Sequence, residues 1–141
     1  MLAARLLFAV QRELFDRLRE LGFDDVRPRH GAVLAYLDEV GVRPGELARQ
    51  SGRRKQTIGA ILDDLERLGY VSRRPDPQDR RAVLIVPTDR GLAFMRASDT
   101  IIGEIESHHV ARIGAPAYAQ LRHQLRSITS QQAEEWTCPA R

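Results

Sequence analysis

Two short runs hold the side chains of this chain best suited to chemistry. Arg53, Arg54, Lys55, Gln56 and Thr57 stand together at the head of the segment RRKQTIGAILDDLERLG, while Arg74, Asp79, Arg80 and Arg81 flank the turn-forming PDPQ. Guanidinium and ammonium groups neutralise phosphates, a glutamine carboxamide matches the edge of adenine, and the methyl of Thr57 or Ala60 can meet that of thymine. That is the chemistry of reading double-stranded DNA rather than of making or breaking bonds. The sequence contains no Gly-rich phosphate loop, nucleophile elbow or metal-ligand motif. No catalytic residue, cofactor or metal is therefore expected, and the chain reads as a non-enzyme.

Periodicity predicts the elements that must position these residues. In the first run Ile58, Ile61, Leu62 and Leu65 recur at i, i+3, i+4 and i+7, one buried stripe of a helix. Arg53, Gln56, Ala60, Asp63 and Arg67 then point away from the stripe, with Thr57 and Gly59 on its flanks. Before it come a helix from about Leu2 to Leu21, one from about Arg29 to Val40 burying Val33, Leu34 and Leu37, and a short one beginning near Pro44. After it, Tyr70 to Arg74 and Ala82 to Val86 read as strands around a long turn, Pro75 to Asp79, so the unit is a β-hairpin. Thr88-Asp89 is the N-cap of a long helix to about Ile113, with a stripe of Leu92, Met95, Ile102, Ile105 and His109 weakened at Gly91 and Gly103. A final helix runs from Ala117 to about Ala133, with Tyr118, Leu121, Leu125 and Ile128 on one side.

Composition is that of a soluble globular chain: 141 residues, 43% hydrophobic and 29% charged. The apolar runs are too short to cross a bilayer and the N-terminus lacks the character of a cleaved signal, which predicts a cytoplasmic protein without membrane contact. The single cysteine, Cys138, excludes an internal disulfide framework. The net charge of +3 is unevenly placed. Arg43 to Arg81 holds ten basic and six acidic residues, a local +4 against −1 for the rest. A basic middle between near-neutral arms is the footprint of a nucleic-acid-binding core carried on other helices.

Two stretches, ELARQSGRRKQTIGAILDDLERLGYVSRR and DPQDRRAVLIVPTDRG, resemble the helix-turn-helix and wing of the MarR family of winged helix-turn-helix regulators, and the order of elements resembles that family over nearly the whole chain. The resemblance implies a mainly α fold with a small β-wing, a single domain over 1–141. Within it about 29–91 form the winged helix-turn-helix lobe, and about 1–22 and 92–135 are the N- and C-terminal dimerisation helices, with Leu6, Val10, Leu121 and Leu125 in the interface. It implies a homodimeric, ligand-responsive repressor of transcription that binds palindromic operator DNA. The groove-reading positions would fall on Arg53, Arg54, Lys55, Gln56, Thr57, Gly59 and Ala60, and the wing-tip pair on Asp79 and Arg81, with Asp79 bracing the Arg81 guanidinium. The family binds small anions or phenolic ligands in the cleft between its dimerisation and DNA-binding parts, which nominates His30 and Arg27 as contacts for a small-molecule effector.

The chain departs from the family pattern at Arg54, where a small hydroxyl residue is usual, and at Gly59 and Ala60, where polar residues are usual. Arg54 is a poor cap, so the helix start is expected to shift or to be capped from Ser51. With little hydrogen bonding on the reading face, affinity should lean on phosphate and wing contacts.

Plainer readings exist for each feature. The apolar seams of the end helices could be monomer core, and Arg80 and Arg81 a solubilising hairpin tip. His30 could be a surface or helix-capping residue, Cys138 incidental, and the pairs Asp63-Asp64 and Glu134-Glu135 solvated charges. The competing function is a winged-helix protein-interaction module without DNA binding.

Overall fold

The computed structural model describes the backbone of residues 1–137 and the side chains of residues 1–130. Cys138 and the side chains of Glu134 and Glu135 lie outside the described residues. The chain divides into two compact units, 1–101 and 102–141. Among the described residues no helix is long and apolar enough to cross a membrane.

The first unit opens with α1 (Leu2–Glu20), which ends as its sequence dictates. Gly22 adopts a φ of 91°, its amide bonds to the Arg19 carbonyl and that of Phe23 to the Leu18 carbonyl, the paired closure of a helix finished by glycine. Of the predicted seam Leu18 is fully buried, Val10 and Leu14 are half-buried, and Leu2, Leu6 and Leu21 are exposed.

A 3₁₀ turn (Pro28–His30) leads into α2 (Gly31–Leu34). The expected helix to Val40 therefore stops early, although Val33, Leu34 and Leu37 are buried as anticipated. The cause is competition for backbone groups. The Asp38 carboxylate accepts the Gly41 amide at 2.7 Å, and Val42 exchanges both backbone hydrogen bonds with Ile85, at 3.0 and 2.9 Å, as an isolated antiparallel bridge to the second wing strand. A side chain at Gly41 would collide with Val86, 2.6 Å from where its Cβ would sit, and the residue has a φ of 104°.

Then follow α3 (Pro44–Ser51), α4 (Lys55–Arg67), and the antiparallel strands β1 (Val71–Asp76) and β2 (Asp79–Pro87). The stripe Ile58, Ile61, Leu62 and Leu65 is buried, and each such side chain contributes roughly 1.5–3 kcal/mol by leaving water. Gly69 closes α4 with a φ of 81° and the amide pairs Gly69 to Glu66 and Tyr70 to Leu65. That closure turns the chain directly into β1.

The long helix α5 (Asp89–Ile113) is capped from Thr88, whose hydroxyl oxygen accepts the Gly91 amide at 3.1 Å. Its buried residues are Gly91, Phe94, Ile101 and Ile105; of the predicted stripe only Ile105 is among them, while Leu92, Met95 and His109 are half-buried and Ile102 is exposed. Gly91 explains the offset. A Cβ there would lie 2.1 Å from the Tyr70 carbonyl oxygen, so the glycine lets the helix press against the exit of α4, and Phe94 meets Phe23 and Tyr70 edge-on at ring distances of 5.4 and 5.7 Å.

The second unit holds the end of α5 and α6 (Ala115–Thr137), joined at Gly114 with a φ of 87°. Among its described residues, Leu121 and Leu125 are each 41% exposed and Ile128 52%.

Candidate nucleic-acid interface

Gly52, in the left-handed conformation, ends α3 and swings the chain into Arg53 and Arg54, and α4 begins at Lys55. Arg54 occupies the N-cap position with extended backbone and no side-chain hydrogen bond to the helix. Ser51 does not cap α4 as expected. Its hydroxyl donates back to the Ala48 carbonyl at 3.4 Å, because the αL turn at Gly52 keeps it within α3. The first-turn amides of α4 thus face outward beside two cations, an arrangement suited to a phosphate.

Burial of the Ile58 stripe decides what the opposite face offers. Arg53, Arg54, Lys55, Gln56, Thr57 and Ala60 are exposed, and Gly59 is half-buried. A Cβ on Gly59 would meet nothing within 4 Å, so internal packing does not demand a glycine there.

Ion pairing sorts the basic residues sharply. Of the ten cations between Arg43 and Arg81, four are engaged by acids of the same lobe. Arg43 pairs with Asp76 and Arg49 with Glu46, each at 2.5 Å; Arg67 pairs with Asp64, and Arg73 with both Asp63, at 2.5 Å, and Glu66. Among the described residues, Arg53, Arg54, Lys55, Arg74, Arg80 and Arg81 have no ion-pair partner. All six are exposed, and all lie at the head of α4 or on the wing. The surplus charge of the segment is therefore concentrated on the two elements that the sequence nominated.

The hairpin is built differently from the expected long tip. The strands extend to Asp76 and Asp79, leaving Pro77 and Gln78 as a two-residue turn. Pairing runs from Val71↔Pro87 to Pro75↔Val83 and then jumps to Asp76↔Asp79, so Arg80, Arg81 and Ala82 bulge from β2 without partners on β1. Asp76 sets this geometry. Its Oδ1 accepts the Gln78 amide at 2.8 Å, and its Oδ2 accepts Nε and Nη2 of Arg43 at 2.8 and 2.5 Å. The Gln78 amide and the Arg43 guanidinium hold the Asp76 carboxyl below the usual carboxylate range. Asp79 does not brace the Arg81 guanidinium as anticipated; its Oδ1 accepts the Arg81 backbone amide at 3.0 Å, shaping the bulge and leaving the side chain free.

Two sequence expectations are corrected beneath α4. His30 is not a surface residue but is fully buried, and it caps its own 3₁₀ turn, as the plainer reading had it: its Nδ1 accepts the amide of the N-cap residue Arg27 at 3.0 Å. The His30 Nε2 lies 2.8 Å from Asp64 Oδ2, with Arg29 Nε 3.3 Å away on the same nitrogen. Asp64 is accordingly no solvated charge: His30, Arg67 and Arg29 converge on it and hold its carboxyl well below the usual range. Asp63, though paired with Arg73, is 72% exposed and remains a solvated charge as expected. Arg27, the other residue nominated for an effector, is exposed.

Asp76, Arg43, Asp64 and Arg73 were missed as site-shaping residues. Asp76 carries a local signal, an Asp-Pro at the start of a turn. The others act across 33, 34 or 35 residues, or from strand to helix, and no local pattern marks such pairs.

Known proteins resemble the chain as follows. A model of the MarR family matches residues 24–82. Over 52 residues the chain is 46% identical to an uncharacterized HTH-type transcriptional regulator, YcgE of Bacillus subtilis, in a match taking in 36% of this chain and 34% of that protein. Over 99 residues it is 26% identical to the transcriptional repressor MprA of Escherichia coli, taking in 67% of this chain and 56% of that one. It therefore spans less than two thirds of either relative. The crystal structure of CouR from Rhodococcus jostii RHA1, bound to p-coumaroyl-CoA, superposes with a TM-score of 0.73 at 27% identity, covering 90% of this chain and 88% of CouR.

Proposed function

We propose that the chain, whose residues 24–82 match a model of the MarR family, is a DNA-binding transcriptional regulator of that family, a repressor that holds palindromic operator DNA as a homodimer. The observation that carries this reading is the sorting of charge. Among the described residues, every cation left unpaired between Arg43 and Arg81 lies at the head of α4 or on the wing, while five of the six acids of that segment, Glu46, Asp63, Asp64, Glu66 and Asp76, are spent on internal pairs. A solubilising surface has no reason to be divided that way.

In this mechanism α4 enters the major groove, with Gln56 and Thr57 facing base edges and Arg54, Lys55 and the free first-turn amides on phosphate. Gly59 and Ala60 let the helix lie close. Arg80 and Arg81, on the wing bulge, reach the adjacent minor groove, and Arg74 and Asp79 lie beside them on the hairpin. Leu6, Val10, Leu121 and Leu125 form the dimer seam, which would cover the apolar side chains of α1 and α6 that the single chain leaves exposed. Two-fold symmetry then sets the half-sites about one helical turn apart.

The relative CouR carries p-coumaroyl-CoA, and for this chain we assign a small-molecule effector that alters the spacing of the two reading helices. With both His30 nitrogens engaged, an effector acts on His30 only through the Asp64 link to α4, whereas Arg27 is open to direct contact.

Selection of bound sequences from random duplex DNA by the purified protein tests the reading. A two-fold-symmetric motif is expected. Failure to enrich any motif, with the protein folded, would replace the regulator with a winged-helix protein-interaction module.

A further inference from the structure

Asp76 is an acid on the hairpin assigned to DNA, and charge alone would make it a liability there. It is nonetheless 5% exposed and fully engaged, with one oxygen on the Gln78 amide and the other on both Nε and Nη2 of Arg43. Arg43 is the N-cap residue of α3, the first helix of the helix-turn-helix. The pair therefore joins the tip of the hairpin to that helix at the very point where the strand register jumps and Arg80 to Ala82 are extruded. The root of the hairpin is tied separately, by Arg73 to Asp63 and Glu66 on α4. Without the tip contact, the hairpin beyond Pro75 is held by local contacts alone among the described residues: the Asp76↔Asp79 pairing, the Gln78 amide on Asp76 and the Arg81 amide on Asp79.

We propose that Asp76 is a positioning residue for DNA binding, which acts through Arg43 to fix the wing bulge, so that Arg80 and Arg81 meet the minor groove without a search. The proposal rests on the DNA-binding reading above. It opposes simple electrostatics in sign, because removing an anion from a DNA-binding lobe ordinarily tightens binding.

The test measures affinity for the selected operator by fluorescence anisotropy across a salt series, for the wild type, Asp76→Asn, Arg43→Lys and Arg81→Ala, and for Asp76→Asn combined with Arg81→Ala. Circular dichroism melts verify that each variant is folded. Asp76→Asn should weaken binding by roughly tenfold and flatten the salt slope as Arg81→Ala does. Arg43→Lys keeps its charge but loses the two-pronged contact, and should also weaken binding. In the Arg81→Ala background, Asp76→Asn should cost clearly less than in the wild type, since of the two contacts it positions only that of Arg80 remains. A merely structural loss would add in full in that background, and this would overturn the proposal. So would unchanged or tighter binding by Asp76→Asn, or by Arg43→Lys should the first variant not fold. Absence of operator binding by the wild type itself would overturn the DNA reading and this proposal with it.

Discussion

Replacing Arg81 with Ala, alongside Arg73 with Ala, compares two wing arginines that the structure treats in opposite ways. Arg81 has no ion-pair partner among the described residues and stands on the bulge of β2, while Arg73 on β1 is held by Asp63 and Glu66. If each of the six unpaired cations releases one counterion, a dimer engages roughly twelve phosphates and the slope of log K against log salt is about −11. Losing Arg81 from both protomers lowers that slope by about 1.8. Between about 50 and 200 mM salt the wild type should then lose roughly 12-fold more affinity than the variant, whose defect shrinks correspondingly as salt rises. Arg73→Ala should weaken binding with a slope close to that of the wild type, because its charge is already neutralised within the lobe. Anisotropy titrations at four or more salt concentrations provide both numbers. Equal flattening by the two variants, or none by Arg81→Ala, would refute the argument that internal ion pairing identifies the charges that face DNA.

Three glycine and carboxylate changes probe the rest. Gly59→Ala should stabilise the protein by up to about 1 kcal/mol, since an alanine Cβ meets nothing in the chain, yet weaken operator binding by crowding the groove; a stabler protein with unchanged affinity would take Gly59 off the reading face. Gly91→Ala should destabilise by roughly 1–3 kcal/mol in urea unfolding, because its Cβ would lie 2.1 Å from the Tyr70 carbonyl oxygen. The carboxyl of Asp64 is held below its ordinary value by His30, Arg67 and Arg29, so its contribution is present above about pH 4 and is lost as pH falls through the native-state value. Asp64→Asn should therefore lower stability at neutral pH and flatten the acid limb of the stability profile. An acid limb as steep as that of the wild type would contradict this.

Local chemistry was readable wherever the determinant and its effect lie within a turn or two of each other. The Ile58-Ile61-Leu62-Leu65 stripe predicted both the buried face of α4 and the outward set Arg53, Gln56, Ala60, Asp63 and Arg67, since a helix that buries one side must present the other. Gly22 and Gly69 stopped their helices as glycines do, and Thr88 capped α5. The errors share a different cause. The second helix ends early because Val42 pairs with Ile85, 43 residues away in sequence, and the stripe of α5 is offset because Gly91 admits the Tyr70 carbonyl.

By itself, then, the sequence determined the order of the elements, the face of α4 turned outward, and the collection of basic residues on α4 and the wing, because periodicity, caps and turns are satisfied by near neighbours. Only the tertiary structure decided which of those basic residues remain available. Arg43 meets Asp76, Arg29 and His30 meet Asp64, and Arg73 meets Asp63 and Glu66 through contacts between elements. A charge count adds residues wherever they fall along the chain, whereas neutralisation depends on which carboxylate the fold brings within a few ångströms.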